Sequence, residues 1–202
     1  MAKNFVSNSK ESVRMFRSNL LESLSKVHFS VPLFIYIPII GFFLFQGQLK
    51  FATPFWTVLS YFVLGVLLWS LAEYVLHRYV FHFTPKGKLM ERIHFIFHGV
   101  HHDYPNDTKR LVMPPSASLP LAVVFYFLFG LLLSPVHLYA FFPGFVSGYL
   151  AYDMCHYAMH HHNFKSEFWK RLKRHHMLHH YQDDHKRYGV SSVLWDKVFR
   201  SE

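Results

Sequence analysis

Cysteine is all but absent from this 202-residue chain, where Cys155 stands alone. One thiol excludes an intramolecular disulfide framework, an iron–sulfur cluster and a thiolate-rich metal site. Acidic residues are also scarce, 12 Asp and Glu against 21 Lys and Arg, giving a formal net charge of +9. Such an excess can signal nucleic acid. Here the basic residues flank long apolar runs and form no soluble basic face, so no nucleic-acid partner is expected and anionic lipid headgroups fit better. A cleavable signal peptide is missing, because residues 1–28 are polar and the first apolar run comes too late for an h-region. Missing too is the alternation of polar and apolar residues that a soluble core requires.

What the chain has in abundance is apolar and aromatic: 51% hydrophobic residues, with 23 Phe and 12 Tyr. Four apolar segments cover residues 29–45, 55–76, 116–133 and 136–155. Each is near the length of roughly 17–25 residues that crosses a bilayer as a helix. Pro32 and Pro38 predict a kink in the first, and Pro114-Pro115 mark the start of the third. Ahead of them, Val13, Phe16, Leu20, Leu21 and Leu24 fall at helical spacing, so residues 1–28 are expected to lie on the membrane surface as an amphipathic segment.

Charge orients these spans. Of the 21 Lys and Arg, five precede the first segment (Lys3 among them), six lie between the second and third, and nine follow the fourth; only Lys50 falls on the other side. The positive-inside rule puts both termini and the middle loop in the cytoplasm. The predicted architecture is an all-α integral membrane protein with four transmembrane helices in two hairpins. Residues 77–115 and 156–202 form a cytoplasmic helical cap, within a single membrane domain of residues 29–202.

The cap is where the histidines are. HRYVFH (77–82), HGVHH (98–102), HYAMHHH (156–162) and HHMLHH (175–180) all emerge on that one face. Imidazole is the commonest protein ligand for zinc, copper and iron. His98, His101 and His102 sit at helical i, i+3, i+4 positions, as do His176, His179 and His180, while His156 and His160 are four apart. His77 and His82 are five apart, which a regular helix does not align, so the helix is expected to distort or end between them. Ten imidazoles exceed the four ligands of one zinc site and supply two metals with five each. His28, His94, His137, His161, His162, His175 and His185 are read as non-ligands. Glu73, four before His77, and Asp153, three before His156, stand where they could accept the second ring N–H of those imidazoles. A metal transporter or sensor is the alternative from another class, but the spans carry almost no polar residues to line a pathway.

The pattern HX4H, HX2HH, HX3H, HX2HH between four spans resembles the membrane fatty acid hydroxylase / sterol desaturase superfamily. The strings EYVLHRYVFH, HFIFHGVHHDYPNDTKRLVMPP and YGVSSVLWDKVF make it most similar to the fatty acid 2-hydroxylases. That resemblance covers about residues 55–200, with the N-terminal 28 residues or so outside it. It implies two iron ions held by His77, His82, His98, His101, His102, His156, His160, His176, His179 and His180, with zinc able to replace iron in purified protein. It also implies O2-dependent hydroxylation of carbon 2 of fatty acyl chains, free or in sphingolipid. No catalytic side chain beyond the metal centre is expected. Tyr152 and Asp153 are candidates for supporting roles, and Tyr104 and Tyr181 for orienting oxygen or substrate.

Relatives often carry an N-terminal cytochrome b5 domain for which this chain has no room, so a separate donor, cytochrome b5-like or a ferredoxin, is expected. The short loops suggest a bacterial inner membrane, with the endoplasmic reticulum the alternative. A carotenoid ring hydroxylase and a sterol or lipid desaturase remain the competing enzymes. Three residues separate the histidines of HYAMH, where carotenoid hydroxylases tend to have four.

Overall fold

The structure is a computed structural model and describes residues 5–202, so Lys3 lies outside the described residues. Among those residues it is helical, with no strand. The helices are α1 (Asn19–Leu24), α2 (Val31–Phe51), α3 (Phe55–Val75), α4 (Lys88–His94), α5 (Val100–Asp103), α6 (Pro115–Gly130), α7 (Pro135–His161), α8 (Glu167–Tyr181) and α9 (Leu194–Val198). Two π-helical turns, Leu76–Phe81 and Phe95–Gly99, continue α3 and α4.

The four apolar segments become α2, α3, α6 and α7. Two stretches, Val31–Phe51 and Phe55–Phe81, are long and apolar enough to cross a membrane by length and composition. At 16 residues α6 is shorter. Helix α7 is the bundle's central helix, buried at intervals from Leu138 to Met159, and it runs 27 residues, straight through the third histidine cluster. Helix α2 passes Pro38 and continues beyond the end of the apolar run to Phe51, reducing the first hairpin connection to 52–54, where Ala52 turns left-handed at φ 44°. The apolar runs 29–45 and 55–76 leave residues 46–54 between them, and the helices close all but three of these. Leu49 and Lys50 still extend the helix, and Lys50 reaches the Tyr139 hydroxyl on α7 at 3.2 Å.

Small residues let α3 and α7 approach closely. A Cβ at Gly144 would fall 2.0 Å from the Phe62 carbonyl oxygen, and one at Gly65 would fall 2.2 Å from that of Phe141. Gly144 and Gly148 repeat at the four-residue spacing that brings helix backbones together in membranes. Trp69, Phe145, Tyr149 and Tyr36 then interlock edge to face across the joint. On the outside, large apolar side chains such as Phe34, Phe45, Trp56, Leu67, Phe127 and Leu132 remain exposed, a surface far more apolar than a water-facing one.

Among the described residues ahead of α2, only Asn19–Leu24 is helical. The rest is strapped across the histidine end of the bundle. Ser7 N–H donates to the Asp103 carbonyl, Ser12 Oγ–H to Asp107 Oδ1, and Val27 N–H to the Lys109 carbonyl. Buried Glu22 pairs with Arg110 at 2.6 Å and also accepts the Met15 and Phe16 N–H groups. Burial works against the Glu22 carboxylate, but Lys26, those two N–H groups and Arg110 hold its pKa down at about 2. Polar partners that are distant in sequence thus override the local helical pattern.

Candidate metal centre

Four helix ends meet at one end of the bundle and bring ten imidazoles into two adjoining groups. His77, His82, His98, His102 and His179 form the first, and His101, His156, His160, His176 and His180 the second; within each group the ligand atoms all lie within 4.8 Å of one another. The groups touch where the His102 and His180 rings stack at 4.2 Å.

The first pair shows how sequence becomes geometry. Five residues apart on an α-helix means about 140° apart around it. The chain answers with a π-turn: His82 N–H donates to the His77 carbonyl at 3.1 Å, the i→i+5 bond that brings both rings to one side. A second π-turn, at Phe95–Gly99, separates His94 from His98; His94 packs on Phe83 and joins neither group.

Positions i+3 and i+4 differ by about 100° around a helix. His98 and His102 therefore face one group while His101 faces the other, and His176 and His180 part from His179 in the same way. Each i, i+3, i+4 triad is thus divided between the groups, and each group takes four imidazoles from one half of the chain and one from the other half.

The Nε2 atoms converge. Neighbouring Nε2 atoms lie 3.0–3.3 Å apart in the first group and 2.9–3.1 Å apart in the second. At a metal–nitrogen bond of about 2.1 Å, ligands at right angles lie about 3.0 Å apart. His77 donates its Nδ1–H to the Tyr188 carbonyl (2.5 Å) and His179 donates its own to the Lys186 carbonyl (2.6 Å), so each turns a bare Nε2 lone pair inward. Facing lone pairs at such separations repel unless a cation sits between them. Burial, reinforced by neighbouring imidazoles, holds His98, His101, His176, His179 and His180 well below the ordinary 6.5 and His102 at about 3. They stay neutral and ready to bind metal. The donor set fits two ions.

Neither carboxylate singled out from the sequence meets a histidine. Glu73 accepts the Val190 and Ser191 N–H groups and the Ser191 hydroxyl; Asp153 accepts the Met113 N–H and the Tyr149 hydroxyl. Both lie along the helix from their histidines and brace loops beside them. Tyr152 stacks on His156, whereas Tyr104 packs on Phe5 and Tyr181 is exposed.

A cavity of about 650 Å³ opens beside the imidazoles, lined by His98 and His101 at the cap and by His156, Tyr152 and Phe145 along α7. Its size is that of a small-molecule site, about 300–1,000 Å³. Met15, Phe16, Leu21 and Leu24 of the N-terminal strap close one wall.

A family model described as fatty acid hydroxylase matches residues 62–201. The chain belongs to the fatty acid hydroxylase family. It is 38% identical to a dihydroceramide fatty acyl 2-hydroxylase of Arabidopsis thaliana over 94% of this chain and 79% of that protein. It is 37% identical to a ceramide very long chain fatty acid hydroxylase of Schizosaccharomyces pombe and 35% identical to the fatty acid 2-hydroxylase of Homo sapiens. It covers 91% and 94% of its own length in those matches, but spans only about half of each relative, 53% and 56%. The solved hydroxylase domain of scs7p superposes with a TM-score of 0.85 at 36% identity, covering 91% of this chain and 69% of that one. A match over 94% of the chain must enter the first 28 residues, so the similarity reaches further toward the N-terminus than the histidine motifs suggest.

Within this family member, one supporting residue escapes a histidine-centred reading. Asp196, fully buried, accepts from Tyr188 N–H, Gly189 N–H and Ser201 Oγ–H and pairs with His175 at 3.0 Å. These partners hold its pKa low despite burial. Its only sequence signal is the tail string YGVSSVLWDKVF, where a charged residue interrupts an apolar run.

Proposed function

We propose that this protein is a membrane-bound hydroxylase that inserts oxygen at carbon 2 of fatty acyl chains, free or amide-linked in a sphingolipid. The observation that carries this is the placement of His98, from the first imidazole group, and His101 and His156, from the second, on the wall of one apolar cavity. The relatives named as acyl and ceramide 2-hydroxylases support the substrate class.

The ligands are His77, His82, His98, His102 and His179 for one ion and His101, His156, His160, His176 and His180 for the other. Two irons held there supply O2 activation strong enough to attack an unactivated C–H bond. The chain's own part is binding, orientation and exclusion of water. Apolar residues of α6 and α7 hold the acyl chain, and the strap keeps bulk water from the imidazoles. A head group at the cap end leaves carbon 2, one bond from the carbonyl, beside the histidines. Tyr152, stacked on His156, limits how far the chain can slide.

All four apolar helices cross the membrane with the histidine end in the cytoplasm, where a separate electron donor meets the basic cap. The 20-to-1 split of Lys and Arg supports this orientation. Expression in cells lacking 2-hydroxy lipids, followed by lipid mass spectrometry, tests the reading. Appearance of 2-hydroxyacyl species that vanish with His156→Ala is expected; a new double bond, or no new lipid at all, overturns it.

A further inference from the structure

We propose that Asp196 and Glu73 are positioning residues for the first imidazole group alone, acting through the loop 186–191; this rests on the two-metal reading above. His77 and His179 each donate Nδ1–H to a backbone carbonyl, those of Tyr188 and Lys186, at 2.5 and 2.6 Å. Both acceptors lie in one three-residue stretch, so two ring orientations depend on where that stretch sits.

The stretch belongs to neither helix nor strand and is held by two buried carboxylates. Asp196 takes the N–H groups of Tyr188 (2.9 Å) and Gly189 (2.8 Å); Glu73 takes those of Val190 and Ser191 (2.8 Å each). Four consecutive backbone donors thus end on two side chains, one from the end of α3 and one from α9. Arg187 N–H also donates to the Ser201 carbonyl at 2.7 Å, and both Arg187 and Arg200 adopt left-handed φ (63° and 53°). Such backbone persists only where its surroundings over-determine it. No side chain fits at Gly189, where a Cβ would fall 2.0 Å from the Ser192 carbonyl oxygen and 2.8 Å from Asp196 Oδ2. The Tyr188 ring packs 5.5–5.7 Å from the rings of His77, His82 and His179.

The second group has no counterpart. The Nδ1 atoms of His176 and His180 are buried without a hydrogen-bond partner among the described residues. The two metal positions are therefore unequal, and damage to the loop falls on one of them. Loss of such an outer partner weakens metal binding by about 10–100-fold.

Metal content of purified wild type, Asp196→Asn, Glu73→Gln and Gly189→Ala, measured across a chelator series, tests this. Each variant is expected to keep one tightly held ion and release the other at about 10–100-fold lower chelator concentration. Adding His176→Ala to Asp196→Asn removes both ions. An equal fall for both ions relative to wild type, or release of both at the wild-type concentrations, overturns the proposal. Should Asp196→Asn fail to fold, Gly189→Ala and Glu73→Gln read the same loop, and wild type alone must release its ions in two steps; a single step overturns the proposal. A wild type holding fewer than two ions instead removes the two-metal reading beneath it, which no activity assay is needed to see.

Discussion

Ten neutral imidazoles packed below the surface make this chain sensitive to acid in a definite direction. In the unfolded chain a histidine takes a proton near 6.5. In the folded chain burial and neighbouring imidazoles hold His98, His101, His176, His179 and His180 far lower. Between the two values the unfolded state binds more protons, so stability is full above about 6.5 and falls as pH drops below it, by up to about 1.4 kcal/mol per group per pH unit. Chelator-treated protein should therefore lose thermal midpoint steeply between pH 7 and 5, and a flat midpoint over that range would contradict the burial of these groups. Protons compete for the folded imidazoles only at their lowered values, so metal-loaded protein should keep its ions across this interval. At the same scale, His101→Ala tests the division into groups. It removes one imidazole from the second group although its motif feeds mostly the first, so metal analysis should show one ion lost and product formation abolished.

Elements decide which residues face the cavity. The strap depends on Glu22 and Arg110, a pair whose side chains are only 9% and 3% exposed. Removing one partner of a buried pair strands the other and costs about 3–5 kcal/mol. Glu22→Gln and Arg110→Met should each lower the thermal midpoint and loosen the strap, changing KM for acyl substrates more than the content of bound metal. The double variant Glu22→Leu with Arg110→Met should recover most of the stability. Additive losses would show that the pair does not act as a unit. The π-turn at Leu76–Phe81 is the other element with a single purpose. Deleting one residue between His77 and His82 should remove the π-turn yet leave the two imidazoles four apart on one face of an α-helix, the spacing of His156 and His160, whereas inserting one should part them.

At the scale of the whole molecule, the two hairpins present every histidine motif at one end and the loops 52–54 and 131–134 at the other. Cys155 is the only thiol, so labelling can report orientation. In a Cys155→Ser background and in membrane vesicles sealed with the cytoplasmic face outward, Lys170→Cys should react with an impermeant maleimide, whereas Ala52→Cys and Ser134→Cys should react only after permeabilisation. The reverse pattern would invert the topology.

Much of this was legible beforehand. The apolar runs locate the starts of four helices to within two residues, although α2 and α7 each run six residues past the end of their apolar run; helix satisfies the backbone of an unbroken apolar stretch internally. The ten histidines and their confinement to one end follow from motif spacing and charge, which are local properties of the chain. Three things were not legible. The course of the strap was not legible, because Asp103, Asp107 and Arg110, about a hundred residues downstream, hold its backbone and its Ser12 hydroxyl. Glu73 and Asp153 stand one turn from histidines yet serve other loops, because a spacing gives a face of a helix and says nothing of what packs against it. The sorting of imidazoles into two groups depends on the π-turns and on how the ends of α5, α7 and α8 meet, and tertiary packing sets both. The sequence by itself determined which ten imidazoles gather and at which end of the bundle. Only the tertiary structure decided which five come together in each group and which loop packs against them, because those answers lie in contacts between segments far apart in the chain.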